Sequence, residues 1–332
     1  MEQKVSNKIT YLYFLMSILI LNLHSVYMEQ FQASELALVV NQFVKIICNM
    51  SVPTFFFISA LLFYRNCEKK QYSRVILAKI KTLIIPYICW NLICFPLKEF
   101  KNYLATGSIA TVGIKDVAYK VLMSSYDPVL WFIRVLFIYF LFYPVILFLV
   151  RRQRLCLGLI ALLLGINIII GPVTGYSTAR YWLPIYLLGG YLGYWKKDNI
   201  FHRKTSLKSI YVSFSLVTLI ILVIGAYFSD IGMYLCRMIS PLCYWVMGDI
   251  FFIERSPKWI EKQSFYIYCT QMIFSVVAQK VWIGLFGNGL ASALFANAGI
   301  PLILLVVILI TARVFHLIMP KLYDILTGGR SE

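Results

Sequence analysis

The sequence predicts an all-α integral membrane protein, a bundle of about ten transmembrane helices with both termini cytoplasmic. Three observations carry that expectation. Hydrophobic residues make up 61% of the 332, charged residues only 14%, and mean hydropathy is +0.78; a soluble domain has about 45–50% apolar and about 25% charged residues. The apolar residues form long blocks, and about 20 of them cross a hydrocarbon core of roughly 30 Å. Lys and Arg gather in alternate segments between those blocks, as the positive-inside rule requires. A membrane β-barrel would instead show alternating segments of about ten residues, and the chain has none.

Taken in order, the spans read as roughly 9–27, 39–64, 77–95, 129–150, 155–171, 181–195, 207–228, 232–253, 264–286 and 294–318. The first, ITYLYFLMSILILNLHSVY, is longer than the apolar core of a signal peptide and lacks a small-residue cleavage site, so it reads as a retained span. Tyr87 and Trp90 support the third span, and the run LWFIRVLFIYFLFYPVILFLV the fourth. The sixth, YWLPIYLLGGYLGYW, is short; its glycines permit close helix approach or mark a kinked or tilted span. A short turn near Ser229–Asp230 divides the seventh from the eighth. The longest loop, about 96–128, carries a weakly amphipathic piece near Val112–Met123 suited to the interface. No soluble domain is appended, so 1–332 reads as one transmembrane domain.

With a cytoplasmic N-terminus, the inner segments are 1–8, 65–81, 151–154, 196–208, 254–263 and 313–332, and they hold 22 of the 31 Lys and Arg. The net charge of +17 is then mostly an inner-leaflet anchor. A nucleic-acid partner would want a contiguous basic face on a soluble domain, which is missing. The eight cysteines form no C-x-x-C pair and fall mostly within spans, where they act as small apolar residues. Neither disulfides nor a metal site are expected. No phosphate-binding glycine loop is present, which argues against a nucleotide-driven pump.

In hydrocarbon the informative residues are the polar ones at depth, because each is costly there. They are Asn22 and His24 on the first span, Asn41, Gln42 and Lys45 on the second, Asn91 on the third and Arg134 on the fourth. Asn167, Arg180, Arg237 and Gln271 follow on later spans. Of three histidines, His202 lies in the basic loop KKDNIFHRKTSLK and His316 near the end of the last span. His24 is the one imidazole placed to handle a proton inside the membrane; the plainer reading is a histidine satisfied by a neighbouring helix or headgroups. Arg134 can snorkel outward. Alternatively His24, Arg134, Arg180 and Arg237 converge in the outer half as a basic, partly hydrated cavity for an anionic acyl donor, an oxyanion or a polyanionic glycan.

Five segments in order resemble the membrane-bound acyltransferase 3 family. SVPTFFFISALLFYR (51–65) resembles its VPxFFxxSGxLxxR signature, with Ala60 in place of the usual glycine. IPYICWNLI (85–93) is similar to its PYxxW segment, and DPVLWFIRVLFIY (127–139) to its LWFL span. YWLPIYLLGGYLG (181–193) and QSFYIYCTQMIF (263–274) are similar to two later family spans. The resemblance implies a ten-helix O-acyltransferase of the plasma membrane. It would move an acyl group, commonly acetyl from acetyl-CoA, to a hydroxyl of a cell-surface polysaccharide or lipid-linked glycan. It implies no permanently bound cofactor, with acyl-CoA as donor substrate; membrane lipids are partners, and homo-oligomerisation is left open.

The family's first helix carries an arginine about ten residues before a histidine. The histidine aligns as His24, whereas the arginine's position falls on Tyr13; a second family histidine is replaced by Gln271. His24 is therefore the expected general base. Tyr13, Asn22, Arg134, Arg180, Arg237, Gln271, Trp90 and Trp131 are the candidate donor-binding, substrate-binding or electrostatic residues, the two tryptophans being packing aromatics first. Lys8 and Tyr13 are partial substitutes for the arginine. Loss of that charge also fits a second expectation, a catalytically decayed member acting in polysaccharide export or assembly.

Overall fold

A computed structural model describes residues 3–68, 71–107, 113–170, 178–196, 208–251 and 255–330, and every regular element among them is helical. The basic loop around His202 lies outside these residues. The first span is α1 (Gln3–Ser25), followed after a short 3-10 turn by α2 (Glu35–Cys48) and α3 (Ser51–Tyr64). The expected single span 39–64 falls within one candidate membrane span, Glu35–Tyr64, in which a short turn at Asn49–Met50 separates α2 from α3. Pro53, in the first turn of α3, has no N–H to return to the Asn49 carbonyl, which fits the turn there.

The third span is longer than its apolar core: α4 (Tyr72–Lys79) runs through one π-turn (Ile80–Ile84) into α5 (Ile85–Thr106). Pro86 removes the N–H that an α-helix would return to the Thr82 carbonyl. Gly107, at φ +70°, ends α5. The amphipathic piece of the long loop is α6 (Ile114–Leu122). The fourth span is broken: α7 (Trp131–Leu141) and α8 (Tyr143–Arg151) meet at 66°, with Pro144 in the first turn of α8.

There follow α9 (Gln153–Ile170), α10 (Ala179–Trp195), α11 (Lys208–Phe228) and α12 (Asp230–Phe251). Ser229 makes the turn between the last two, accepting from the Gly232 N–H. The chain ends in α13 (Ser264–Phe286), α14 (Leu290–Ile318) and the short α15 (Pro320–Thr327). A 57° bend divides α13 around residue 276, where the Ser275 hydroxyl turns back to the Met272 carbonyl.

Among the described residues, six helices are long and apolar enough to cross a membrane, or eight if each bent pair is one span. The two further spans expected from hydropathy fall on α10, of 17 residues, and on α12, which carries Asp230, Arg237 and Asp249.

Glycine sets the tightest seam. Gly189 and Gly193, four apart on α10, lie against the Phe57 and Leu61 carbonyls of α3; an added Cβ would stand 2.4 and 2.3 Å from those oxygens. Close approach is the role these glycines serve, as in other membrane helix pairs. The aromatic core fills in behind, with Phe56 stacked on Trp182 and edge-on to Phe132 and Tyr139. Side chains such as Leu302, Val306 and Ile310 on α14 face outward, as a lipid-facing surface does. Helix α1 sits centrally, packed by α2, α3, α12, α13 and α14.

Candidate functional site

The candidate polar groups on α1 divide between its middle, at Tyr13, and its C-terminal end, at His24. Tyr13 lies in the half nearer the N-terminus, stacked on Phe55 (5.2 Å between ring centroids) and hydrogen-bonded with Ser59. Ser17, one turn on, anchors this part of α1 to the Ser264 carbonyl at the start of α13 (3.1 Å). Beside Tyr13 opens a cavity of about 340 Å³ between α1, α3, α7 and α13, walled by Phe55, Phe132 and Phe265. Its described lining carries two cations, Lys79 and Arg330, and no acidic side chain.

Arg330 reaches the cavity from the segment after α15. That helix is docked by Trp90, whose indole N–H donates to the Leu326 carbonyl (3.0 Å), and by Tyr323, whose hydroxyl donates to Gln263. Gly328, at φ +63°, then turns the chain so closely against α5 that a Cβ would stand 2.4 Å from the Thr82 oxygen. Arg330 Nη1 donates to the Thr82 carbonyl (3.0 Å) and to the Thr327 carbonyl (2.9 Å), and its guanidinium stacks over Phe265 (4.2 Å). The Thr82 oxygen is the one that Pro86 leaves without its helical donor. Burial draws the Arg330 pKa below the usual guanidinium value, with Cys269 and Tyr13 acting in the opposite sense; a guanidinium still stays charged.

His24 lies eleven residues beyond Tyr13, about 16 Å along the helix axis at 1.5 Å per residue. It is half-buried, and Lys45 is the charged group that acts on it. Three side chains from neighbouring helices fix this end of α1. Lys45 of α2 donates to the Leu23 carbonyl. The Asn22 amide donates to the Asn297 carbonyl of α14 (2.5 Å). Gln279 of α13 takes both backbone groups of Tyr27, accepting from its N–H (2.9 Å) and donating to its carbonyl (2.6 Å). Two cavities meet at Lys45: one of about 460 Å³ with Tyr27, Glu29 and Asn41, the other of about 640 Å³ with Gln42, Tyr227, Asp230 and Arg237. Polar side chains beside aromatic ones suit a carbohydrate or another hydroxyl-rich ligand.

Of the expected cations, Arg237 belongs to this end: its guanidinium donates to the Tyr181 hydroxyl (2.9 Å) and to Asn49 (3.0 Å). Arg134 points instead to the Leu122 carbonyl (3.4 Å) and the Met123 sulfur (3.2 Å), and Arg180 is exposed at the start of α10. No described contact brings those two to the cavities at Lys45. Trp131 stacks with Trp182 (6.0 Å), and Trp90 is buried with its N–H committed to Leu326, so both are packing aromatics. Gln271 is fully buried, its amide donating to the Tyr268 carbonyl one turn back (3.0 Å). Lys8 does not stand in for an arginine at Tyr13, because it is paired with Asp249 (2.5 Å) over the Trp245 ring.

Arg330, Lys79, Ser59 and Gln279 are members of the two regions that the sequence pattern did not single out. For Arg330 a local signal existed: Gly328–Gly329–Arg330 directly after a helix, the pair of glycines both at positive φ. Asp127 also has unusual chemistry. Burial pushes its carboxyl up to about 7, opposed by a weaker lowering from the Val129 backbone N–H.

Comparison with known proteins adds the family. No curated protein and no solved structure matches the chain. The family model of the acyltransferase 3 acyltransferase domain matches residues 7–312, which include Tyr13 and His24 and run from α1 into α14. With nearly its whole length matched, the chain belongs to the acyltransferase 3 family of membrane acyltransferases.

Proposed function

We propose that this protein is an O-acyltransferase of the plasma membrane, moving an acyl group, most simply acetyl, from acyl-CoA to a hydroxyl of a cell-surface polysaccharide or lipid-linked glycan. The observation that carries this reading is the division of α1. An apolar, cationic cavity lies at Tyr13, near the middle of α1, and two cavities with polar and aromatic linings meet at Lys45, by the C-terminal end of the same helix that carries His24. The first suits an anionic thioester donor entering from the end of the bundle that holds both termini; the second suits a glycan hydroxyl.

His24 serves as general base in this scheme, a role worth about 10²–10⁴-fold. The acceptor oxygen attacks the thioester carbonyl carbon as His24 takes its proton. The C–S bond then breaks, and the proton returns to the departing thiolate. Lys45 and the Asn22 amide lie at the same end, where positive charge and N–H donors favour the developing oxyanion. The donor's elongated thioester arm covers the distance along α1 between Tyr13 and His24.

The test is glycan acetyl content by NMR in cells carrying His24→Gln in place of the wild-type chain. Loss of about a hundredfold or more at normal protein abundance supports the assignment; unchanged acetylation removes His24 from it. A second reading, a decayed member acting in polysaccharide export, is favoured by Gln271, a neutral amide committed to its own helix. Purified protein that turns over acyl-CoA rules it out, whereas export loss on deletion with no acyl group on the glycan selects it.

A further inference from the structure

We infer that the Nε–Nη2 edge of Arg330 is a fork for a phosphate of the acyl donor, supplying from behind α15 the positive charge that α1 lacks at Tyr13. The inference rests on the donor-binding reading of the Tyr13 cavity given above.

The geometry of the guanidinium is the first argument. An arginine has five N–H groups in a planar fork. Nη1 is committed to two backbone carbonyls, Thr82 and Thr327, which fix the plane of the group. The Nε–Nη2 edge has no hydrogen-bond acceptor among the described residues, and no described carboxylate lies within ion-pair distance of Arg330. Two parallel N–H groups match two oxygens of a phosphate, the bidentate geometry that arginine is suited to.

The second argument is the docking itself. Even a half-buried charge is costly unless it is paired, so a fold that needed only to cover the start of α5 would use an apolar side chain. Here Pro86 exposes a carbonyl, Gly328 allows the backbone to press against it, and Trp90 and Tyr323 hold the preceding helix. All of this places a guanidinium beside an apolar cavity. Lys79, seated over the Phe140 ring at 4.1 Å, adds a second positive charge to the same lining. The cavity lies between helices, inside the bundle, which favours the phosphate of a thioester carrier over that of a phospholipid headgroup.

The test uses the full chain in neutral detergent, with binding measured for CoA and for pantetheine, which shares the thiol arm but has no phosphate. The wild type is expected to bind CoA more tightly. Arg330→Gln should weaken CoA binding about 10- to 100-fold and leave pantetheine binding unchanged. Arg330→Lys should fall between, keeping charge without the fork. Should Arg330→Gln fold poorly, the pair Arg330→Gln/Tyr13→Arg returns charge to the cavity and is expected to recover CoA binding. Equal weakening for both ligands, or none, overturns the inference while leaving the donor site standing. Phosphatidylglycerol in nanodiscs that displaces CoA only when Arg330 is present assigns the fork to a lipid headgroup and also overturns it. Wild-type protein that binds neither probe removes the donor reading itself.

Discussion

Lys45 on α2 donates its ammonium N–H to the carbonyl of Leu23, the residue before His24. The contact joins two helices where α1 ends, at one of the four carbonyls that a helix terminus leaves without a partner. A cation is thereby held beside the imidazole, on the wall shared by both cavities of that end.

Removing that cation tests whether the placement matters. Lys45→Met should cost about 1.5–3 kcal/mol, the range for a hydrogen bond from a charged group, read as a lower thermal midpoint in detergent. Glycan acetylation should fall at least tenfold, while Lys45→Arg, which can still reach the Leu23 carbonyl, keeps most of both. Full acetylation in Lys45→Met would separate the contact from function.

The seam between α3 and α10 predicts a contrast between glycines. Gly193→Val places a side chain against the Leu61 oxygen, where even a Cβ would be 2.3 Å away, and should abolish the monodisperse folded peak in size exclusion. Gly158→Ala on α9 meets nothing within 4 Å and should be neutral or stabilising by up to about 1 kcal/mol, through helix propensity.

Asp127 predicts a pH dependence. Its folded pKa of about 7 lies above the ordinary carboxyl value, so the fold favours the protonated form. That contribution is complete below about pH 4, is lost progressively as pH rises toward 7, and is gone above it. Asp127→Asn should therefore flatten the fall in thermal midpoint between pH 4 and 7 and exceed the wild type at pH 8. A wild-type midpoint that rises with pH over that window, equally in the variant, would contradict the assignment.

The pair of Lys8 and Asp249 should respond asymmetrically, because the Lys8 side chain is 3% exposed and that of Asp249 23%. Asp249→Asn leaves a buried ammonium and should cost about 3–5 kcal/mol. Lys8→Met leaves a carboxylate that water can reach, and should cost less. Thermal shift of both variants and of the double variant orders the three.

Much of the architecture was legible because it follows from simple rules. Long apolar blocks gave the helices, Pro144 marks the break inside the fourth span, and Gly189 and Gly193 mark the tight seam. Tyr13 and His24 were readable as two polar points on one helix. Their surroundings were not, because these come from packing between distant segments. Arg330 meets Tyr13 from the opposite end of the chain, and Gln279 grips Tyr27 from a helix some 250 positions away. Periodicity reports which face of a helix is apolar, but not which other helix covers it. Of the three arginines and the histidine placed in one outer cavity by span depth alone, Arg237 stays at the His24 end while Arg134 and Arg180 lie apart, for the same reason: depth fixes height in the membrane and leaves the angle around the bundle open.

The proline at the end of the π-turn has a kinetic consequence. The oxygen of Thr82 is bonded to the Arg330 side chain, not to the N–H four residues on, so undocking the arm breaks no rung of α5. The segment after Thr327 can therefore open as a small unit by itself while the helices around it stay closed. Its amide protons should exchange well before those of α5, and a ligand that engages the guanidinium should slow them.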